Sequence, residues 1–300
     1  MPSIDSDTRE VGGCDQSRPH MNNAGDAIGR CHDSDLGDAI NRVPTEADVM
    51  TAIADVLDPE LDEPLVKLGF IDRVLVESSD VTVVFKLPTY WCSPNFAYLM
   101  ASDLREKVRS VPGVHTVRVN LLDHCAEDEV TRGINGGLSF SEAFPEETPE
   151  DEDLEMLRRI FLRKGFLMRQ DTLIRQMLKM GIDEATIITL RMADMTIDES
   201  ANVVMVMAPG QTVRLEGAGR NAVLYVHRRA SLGLPVGPDD PLMINDEGLP
   251  VEPTGLREFL RRSRSIRMNI MFNTSMCKGL FRTRYENAGA SEAYPEGESI

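Results

Sequence analysis

The stretch that decides the fold is residues 81–94, VTVVFKLPTYWCSP. Val81 to Leu87 is rich in β-branched residues, which predicts a β-strand. Ser93-Pro94 is typical of an N-cap followed by proline in the first helical turn, so a helix begins here. Pro112-Gly113 then turns the chain into a further strand, Val114 to Leu122. A strand, loop, helix and strand in this order predict a right-handed β-α-β unit with parallel strands.

The residues before this unit add a helix and a strand. Thr45 can cap a helix whose first turn is acidic, and that helix ends at Asp58-Pro59. Phe70 to Val76 predicts a strand that joins the next one through a short polar turn. Together these elements predict a small α-β-β-α-β domain with a short mixed sheet over residues 45–130.

The rest of the chain predicts a second domain. Residues 142–155 hold eight acids and no base, with Pro145 and Pro149 among them, which is typical of a linker. We therefore expect an acidic linker at 131–153 and a mainly helical domain with small β-hairpins at 154–285. Residues 1–44 and 286–300 are predicted to be disordered tails, the first of them acidic. The fold class is α+β, and the helices predicted in the second domain cover Leu154–Lys164, Leu167–Lys179, Glu184–Ala193, Arg220–Leu232 and Leu256–Arg264, with a hairpin at Leu242–Val251.

Composition limits the function classes. Apolar residues make up 42% of the 300 residues and the formal net charge is −17, so the chain can bury a core but repels phosphate backbones. Nucleic acid and anionic membranes are therefore disfavoured as partners, and no stretch approaches the ~20 apolar residues that span a bilayer. We expect a cytoplasmic protein with reduced thiols, because its N-terminus lacks a secretory pattern and its cysteines are odd in number and scattered. The five are Cys14, Cys31, Cys92, Cys125 and Cys277.

The loop after the strand at residues 81–87 carries the most suggestive chemistry. Cys92 directly precedes a helix N-terminus, where the helix dipole favours a thiolate that a metal or sulfur atom needs. Because loops after neighbouring parallel strands lie at one edge, His124 or Cys125 could approach Cys92. In the alternative interpretation, Cys92 is a small buried hydrophobe beside Trp91, and His124 and Cys125 are incidental residues at a strand end.

A family resemblance supports the first interpretation. Residues 45–125 resemble the iron–sulfur cluster assembly domain shared by SufT, PaaD and the cytosolic iron–sulfur targeting factors. The motifs that carry the resemblance are, in chain order, Asp58-Pro59-Glu60-Leu61, Val66-Lys67-Leu68-Gly69-Phe70-Ile71, Thr89-Tyr90-Trp91-Cys92 and Val111-Pro112-Gly113-Val114. Lys67 departs from the family, which usually has Asp before Leu-Gly, and Trp91 replaces the usual Gly.

The resemblance implies a non-catalytic factor that helps to mature iron–sulfur or related metal centres. Cys92 would be the metal- or sulfur-binding residue, and the cargo would be iron or a transient iron–sulfur cluster. One cysteine cannot hold a cluster alone, so a homodimer or a partner's ligands would complete it. The implied partners are cluster assembly machinery and a client metalloprotein, for which an oxygenase component is a reasonable guess. The supporting site candidates are Asp58, Glu60, Thr89, His124 and Cys125.

The second half has a weaker resemblance, to tyrosine recombinases over residues 170–262. Leu190-Arg191 and Asp194 fall in place, but Asp183 occupies the position of a catalytic arginine and would repel the scissile phosphate, so we expect no recombinase activity. The alternative function is a DNA-associated regulator. Residues 256–284 are basic and could instead bind a partner protein or the acidic linker, and Cys277 is expected in a core. The partner-binding candidates are Arg257, Arg261, Arg262 and Arg264.

Overall fold

The computed structural model describes residues 42–146 and 154–286. The predicted tails therefore lie almost entirely outside the described residues, as do residues 147–153 of the predicted linker. Within the described ranges, no helix has the length and apolar character needed to cross a membrane.

The first half contains the predicted elements, two short additional strands and one short additional helix, and its first helix ends at Ile53 and not at Asp58-Pro59. Thr45 caps the first helix: its side chain accepts a hydrogen bond from the Asp48 backbone N–H, while the Asp48 carboxylate accepts from the Thr45 N–H. The elements are α1 (Glu46–Ile53), β1 (Leu57–Asp58), β2 (Glu63–Pro64), α2 (Leu65–Leu68), β3 (Ile71–Glu77), β4 (Asp80–Lys86), α3 (Pro94–Arg109) and β5 (Thr116–Leu122).

The main sheet has the order β3-β4-β5. β3 and β4 are antiparallel, whereas β4 and β5 are parallel, with Val81 opposite Val117 and Lys86 opposite Leu122. The buried side chains of β5, including Val119, face the core that α3 covers. The predicted β-α-β unit is therefore present, and it places the loops after β4 and β5 at the same edge of the sheet.

Two helices extend this first core beyond the predicted elements: α4 (Glu127–Gly136) and α5 (Phe140–Ala143). They occupy residues that the sequence assigns partly to the linker. Val130 and Phe140 are buried in the first core, and the acids of the first turn of α4 suit the positive end of its dipole. The part of the predicted linker at residues 131–143 is therefore folded against the first core.

The second half is mainly helical with one small antiparallel sheet, β6-β7-β8. This arrangement confirms the predicted α+β class. Its elements are α6 (Leu154–Lys179), α7 (Glu184–Ile187), a 3₁₀ turn (Met192–Asp194), β6 (Met195–Asp198), β7 (Val203–Ala208), β8 (Gln211–Glu216), α8 (Gly219–Ser231), α9 (Leu256–Phe281) and a π turn (Arg282–Glu286).

Several predicted boundaries in this half were wrong. The two helices expected before Lys179 are the single helix α6, which runs through Gly165 without a break. The third predicted helix ends at Ile187 instead of Ala193, and the expected hairpin is reduced to one isolated bridge, Ile244 with Pro250. The largest difference is α9, which continues to Phe281, 17 residues beyond the predicted end at Arg264.

The extension of α9 joins the two halves. Leu256, at its start, lies in the second core, whereas Phe281, at its end, lies in the first core. There the Phe281 ring packs against Phe70 with 5.2 Å between ring centroids. The end of α9 is therefore part of the N-terminal domain's packing.

A buried ion cluster is another connection between the halves. Asp62 is 3% exposed, and its carboxylate accepts hydrogen bonds from Arg169 Nε and Arg228 Nε, both at 2.7 Å. Gly165 makes room for it, because a Cβ at this position would lie 2.8 Å from Asp62 Oδ1. A glycine inside α6 is thus explained by the close approach of this carboxylate.

Candidate functional site

The candidate site lies at the sheet edge where β4 and β5 end. Cys92 is half-buried in the loop between β4 and α3, and its Sγ lies 3.3 Å from Thr89 Oγ1. The same hydroxyl oxygen accepts a hydrogen bond from the Trp91 backbone N–H at 3.2 Å. Thr89 therefore shapes the turn that presents the thiol.

His124 reaches this loop from the end of β5, but it contacts the backbone of Cys92 and not its thiol. Its Nε2–H donates to the Cys92 carbonyl oxygen at 2.8 Å, and its Nδ1 accepts from the Ala126 N–H at 3.1 Å. Burial lowers the pKa of His124, and the positive charge of Arg284 adds to this effect. Because both ring nitrogens are engaged, the imidazole positions the Cys92 loop.

Cys125 ties the same two loops together through its backbone. Its N–H donates to the Tyr90 carbonyl oxygen at 2.9 Å, while its side chain is exposed. Its Sγ lies 4.0 Å from His124 Nδ1. Among the described contacts, none joins the Cys125 thiol to Cys92.

The Asp-Pro-Glu turn is held by its own hydrogen bonds and contacts the C-terminal helix. The Asp58 carboxylate accepts hydrogen bonds from the backbone N–H groups of Glu60 and Leu61, each at 2.9 Å. Burial raises the pKa of Asp58 to about 6, although these two hydrogen bonds oppose the shift. Asp58 therefore holds the turn together, and Glu60 Oε1 accepts a hydrogen bond from Asn273 Nδ2 of α9 at 3.2 Å.

The sequence analysis missed the contribution of the C-terminal helix to this site. Arg284 donates to the Leu87 carbonyl oxygen at 3.3 Å and to the Asp123 carbonyl oxygen at 2.6 Å, so it bridges the ends of β4 and β5. Burial and the nearby negative charges of Asp123 and Cys92 raise the pKa of Tyr285 to about 12. The apolar spacing beyond Arg264 was the available signal for a longer helix, but its docking is a tertiary contact.

Cys277 also lies at this site. Its thiol is half-buried and packs against the same core as Cys92. Burial is the largest cause that raises the pKa of Cys277 to about 11, and the negative charges of Asp58, Cys92 and Glu60 raise it further. The sequence placed this cysteine in a core but gave no reason to connect it with Cys92.

An aromatic pair beside Cys92 is directed to solvent. Trp91 is 78% exposed and Tyr90 is 45% exposed. Their rings meet edge to face with 4.9 Å between centroids. Exposed aromatic side chains in contact with one another are the residue types that dominate protein–protein interfaces.

The remaining sequence candidates lie away from this edge. Lys67, which departs from the family motif, has its Nζ 2.5 Å from the Glu63 carboxylate. Among the basic candidates, Arg261 pairs with Glu258 and Arg262 with Asp246, whereas Arg257 and Arg264 have no ion pair within residues 42–146 and 154–286.

Asp183, which occupies the position of the catalytic arginine in the recombinase resemblance, has a structural role. The Asp183 carboxylate accepts from the Thr186 N–H at 2.8 Å and so caps α7. This contact accounts for an acidic residue at a position where phosphodiester chemistry would need a cation.

A resident metal centre is not formed by this chain's described residues. In the part of the chain that the structure describes, no group of three or more His, Cys, Asp or Glu side chains is placed to hold a metal ion.

Comparison with known proteins agrees with this geometry. A search of curated proteins and a search of solved structures return no match to the chain. A family model described as iron-sulfur cluster assembly protein matches residues 46–121, which span α1 to β5 and include Cys92. Residues 46–121 therefore match an iron–sulfur cluster assembly domain, and this match supports a role for the chain in iron–sulfur cluster assembly.

Proposed function

We propose that this chain is a maturation factor that uses Cys92 to receive iron or sulfur and deliver it to a client protein. The observation that carries the proposal is the position of Cys92: a half-buried free thiol, held by Thr89, in the loop that begins α3 of the assembly domain. The chain acts as an accessory protein in the cytoplasm and turns over no substrate of its own.

The cargo is held transiently, because one thiolate leaves most coordination positions of iron open. Iron–sulfur clusters are commonly bound by four protein ligands. The missing ligands come from the client, from the assembly machinery or from a second copy of the chain. The open positions are what allow transfer, since a client's own thiolates can replace Cys92.

The client approaches over the exposed aromatic pair. Tyr90 and Trp91 directly precede Cys92, so a protein that docks on their rings brings its ligands next to the thiol. The family resemblance favours an oxygenase component with an iron–sulfur or di-iron centre as the client class.

The experiment uses the full chain purified without oxygen. The protein is incubated with Fe²⁺ and sulfide and desalted, and protein-bound iron and acid-labile sulfide are measured. It is then mixed with apo-ferredoxin as acceptor, and the ferredoxin absorbance is followed. We expect Cys92→Ser to lose bound iron and transfer, and Cys125→Ser to retain both, because the Cys125 thiol makes no contact with Cys92. Equal transfer by the Cys92→Ser variant and the unmodified protein would reject the proposal.

A further inference from the structure

One face of α9 is directed at the candidate site. Asn273, Cys277 and Phe281 are spaced four residues apart and therefore share a helix face. Asn273 donates to Glu60 at 3.2 Å, and Phe281 packs against Phe70 at 5.2 Å between ring centroids. Since both flanking residues contact the assembly domain, Cys277 faces this domain between them.

The chain after this face passes along the same sheet edge. Arg284 bonds to the carbonyl oxygens of Leu87 and Asp123, which are the residues that follow β4 and β5. Cys92 lies in the loop that Leu87 begins. Both thiols are half-buried and pack against the first core. The contacts of Asn273, Phe281 and Arg284 therefore bring the helix face that carries Cys277 to the side of the domain where Cys92 lies.

We propose that Cys277 is a second sulfur ligand at the Cys92 site, so that the two thiols together chelate one soft metal ion. The inference rests on the proposed function, because this ion would be the iron that Cys92 receives. Thiolate pairs favour soft or borderline ions. Binding replaces two S–H bonds by two metal–sulfur bonds and releases two protons, with no change of oxidation state.

This arrangement explains how α9 contributes to delivery. With only two sulfur ligands, the ion keeps positions for a client's ligands, which agrees with the absence of a third donor group among the described residues.

The test uses Cd²⁺ as a redox-inert thiophilic probe. The full chain carries Cys14→Ser and Cys31→Ser, so that only the three described cysteines remain. Each is alkylated with iodoacetamide with and without Cd²⁺, and the rates are read by peptide mass spectrometry. We expect Cd²⁺ to protect Cys92 and Cys277 at the same metal concentration, while the exposed Cys125 reacts at an unchanged rate. Protection of Cys92 with an unchanged rate at Cys277 would overturn the inference.

Substitutions give a second measurement. Cys277→Ser should weaken Cd²⁺ binding at Cys92 by more than the ~10–100-fold that loss of an outer-shell partner costs. Cys125→Ser is the matched control and should leave the affinity unchanged. The protection experiment needs no substitution at Cys277, so a folding defect in that variant cannot hide the result.

The two proposals fail in different ways. If Cd²⁺ protects both thiols but Cys92→Ser leaves client iron in cells unchanged, the thiol pair stands and the proposed function fails. If Cys92→Ser lowers client iron but Cys277 is never protected, the proposed function stands and the second ligand is rejected.

Discussion

Asp62→Asn is the substitution that tests how the two halves are held together. The Asp62 carboxylate is buried between Arg169 and Arg228, which come from α6 and α8. Asp62 has φ +53°, in the left-handed region, and asparagine is one of the few residues that tolerate this conformation. The substitution therefore removes the charge with little change in size or backbone strain.

The expected loss of folding stability follows from the burial of the ion cluster. Asp62 is 3% exposed and Arg169 is 7% exposed, so water cannot solvate the Arg169 charge once the Asp62 charge is removed. Breaking a buried ion pair by neutralising one partner costs about 3–5 kcal/mol, and after the substitution Arg169 keeps, among the described residues, only its longer ion pair with Glu63, at 3.7 Å. Against a typical total stability of about 5–15 kcal/mol, such a loss is large.

The assay is urea unfolding followed by circular dichroism at 222 nm. Asp62→Asn should shift the midpoint to much lower urea or separate the transition into two steps, because the cluster joins the two halves. Glu258→Gln is the control: it removes the exposed pair with Arg261, whose attraction solvent screens. A shift for Asp62→Asn no larger than that of the control would refute the reasoning.

Two further predictions concern Asp58 and the end of α9. The pKa of Asp58 is raised to about 6 in the folded protein, so its protonation stabilises the fold and this stabilisation is lost as pH rises from about 4 to 6. Compared with Asp58→Asn, the unmodified protein should lose about 3 kcal/mol of its free energy of unfolding across that pH range, measured by urea unfolding at each pH. Parallel curves of unfolding free energy against pH for the two proteins would contradict this. Phe281→Ala should lower the free energy of unfolding by about 3–5 kcal/mol and should increase the rate at which Cys277, one turn earlier, is alkylated. Leu280→Ala is the control and should change neither quantity, because Leu280 is 41% exposed. Equal effects of the two alanine variants would show that the end of α9 is not docked.

Local signals explain why the assembly domain could be predicted. The strand at 81–87 and the Ser93-Pro94 helix start are determined by residues within one short window. The parallel pairing of β4 with β5 follows from the general handedness of β-α-β units. The loop edge that carries Cys92 was therefore predictable before any tertiary contact was known.

Tertiary contacts explain what was missed. The helix α4 was missed because its apolar residues are few and are recognised only by their burial. Gly165 suggested a break in α6, but a carboxylate from the other half fills the space beside it. The docking of Phe281 and Cys277 depends on pairing residues about 200 positions apart in the chain, which no local pattern specifies.

The role of His124 shows the same limit within the site. Its position near Cys92 was predicted from the shared sheet edge. Its function depends on which atoms its two nitrogens reach, and these are the Cys92 carbonyl and the Ala126 N–H. The sequence could indicate proximity but not that the imidazole binds backbone and leaves the thiol free.

The most direct test of the central claim is iron delivery in cells. Cells whose only copy of the protein is unmodified, Cys92→Ser or Cys125→Ser are labelled with ⁵⁵Fe, and iron in soluble iron–sulfur proteins is measured at equal expression of the three forms. The account predicts that Cys92→Ser lowers the incorporated iron to the level of cells that lack the protein, while Cys125→Ser matches the unmodified protein. Unchanged incorporation with Cys92→Ser would contradict the account.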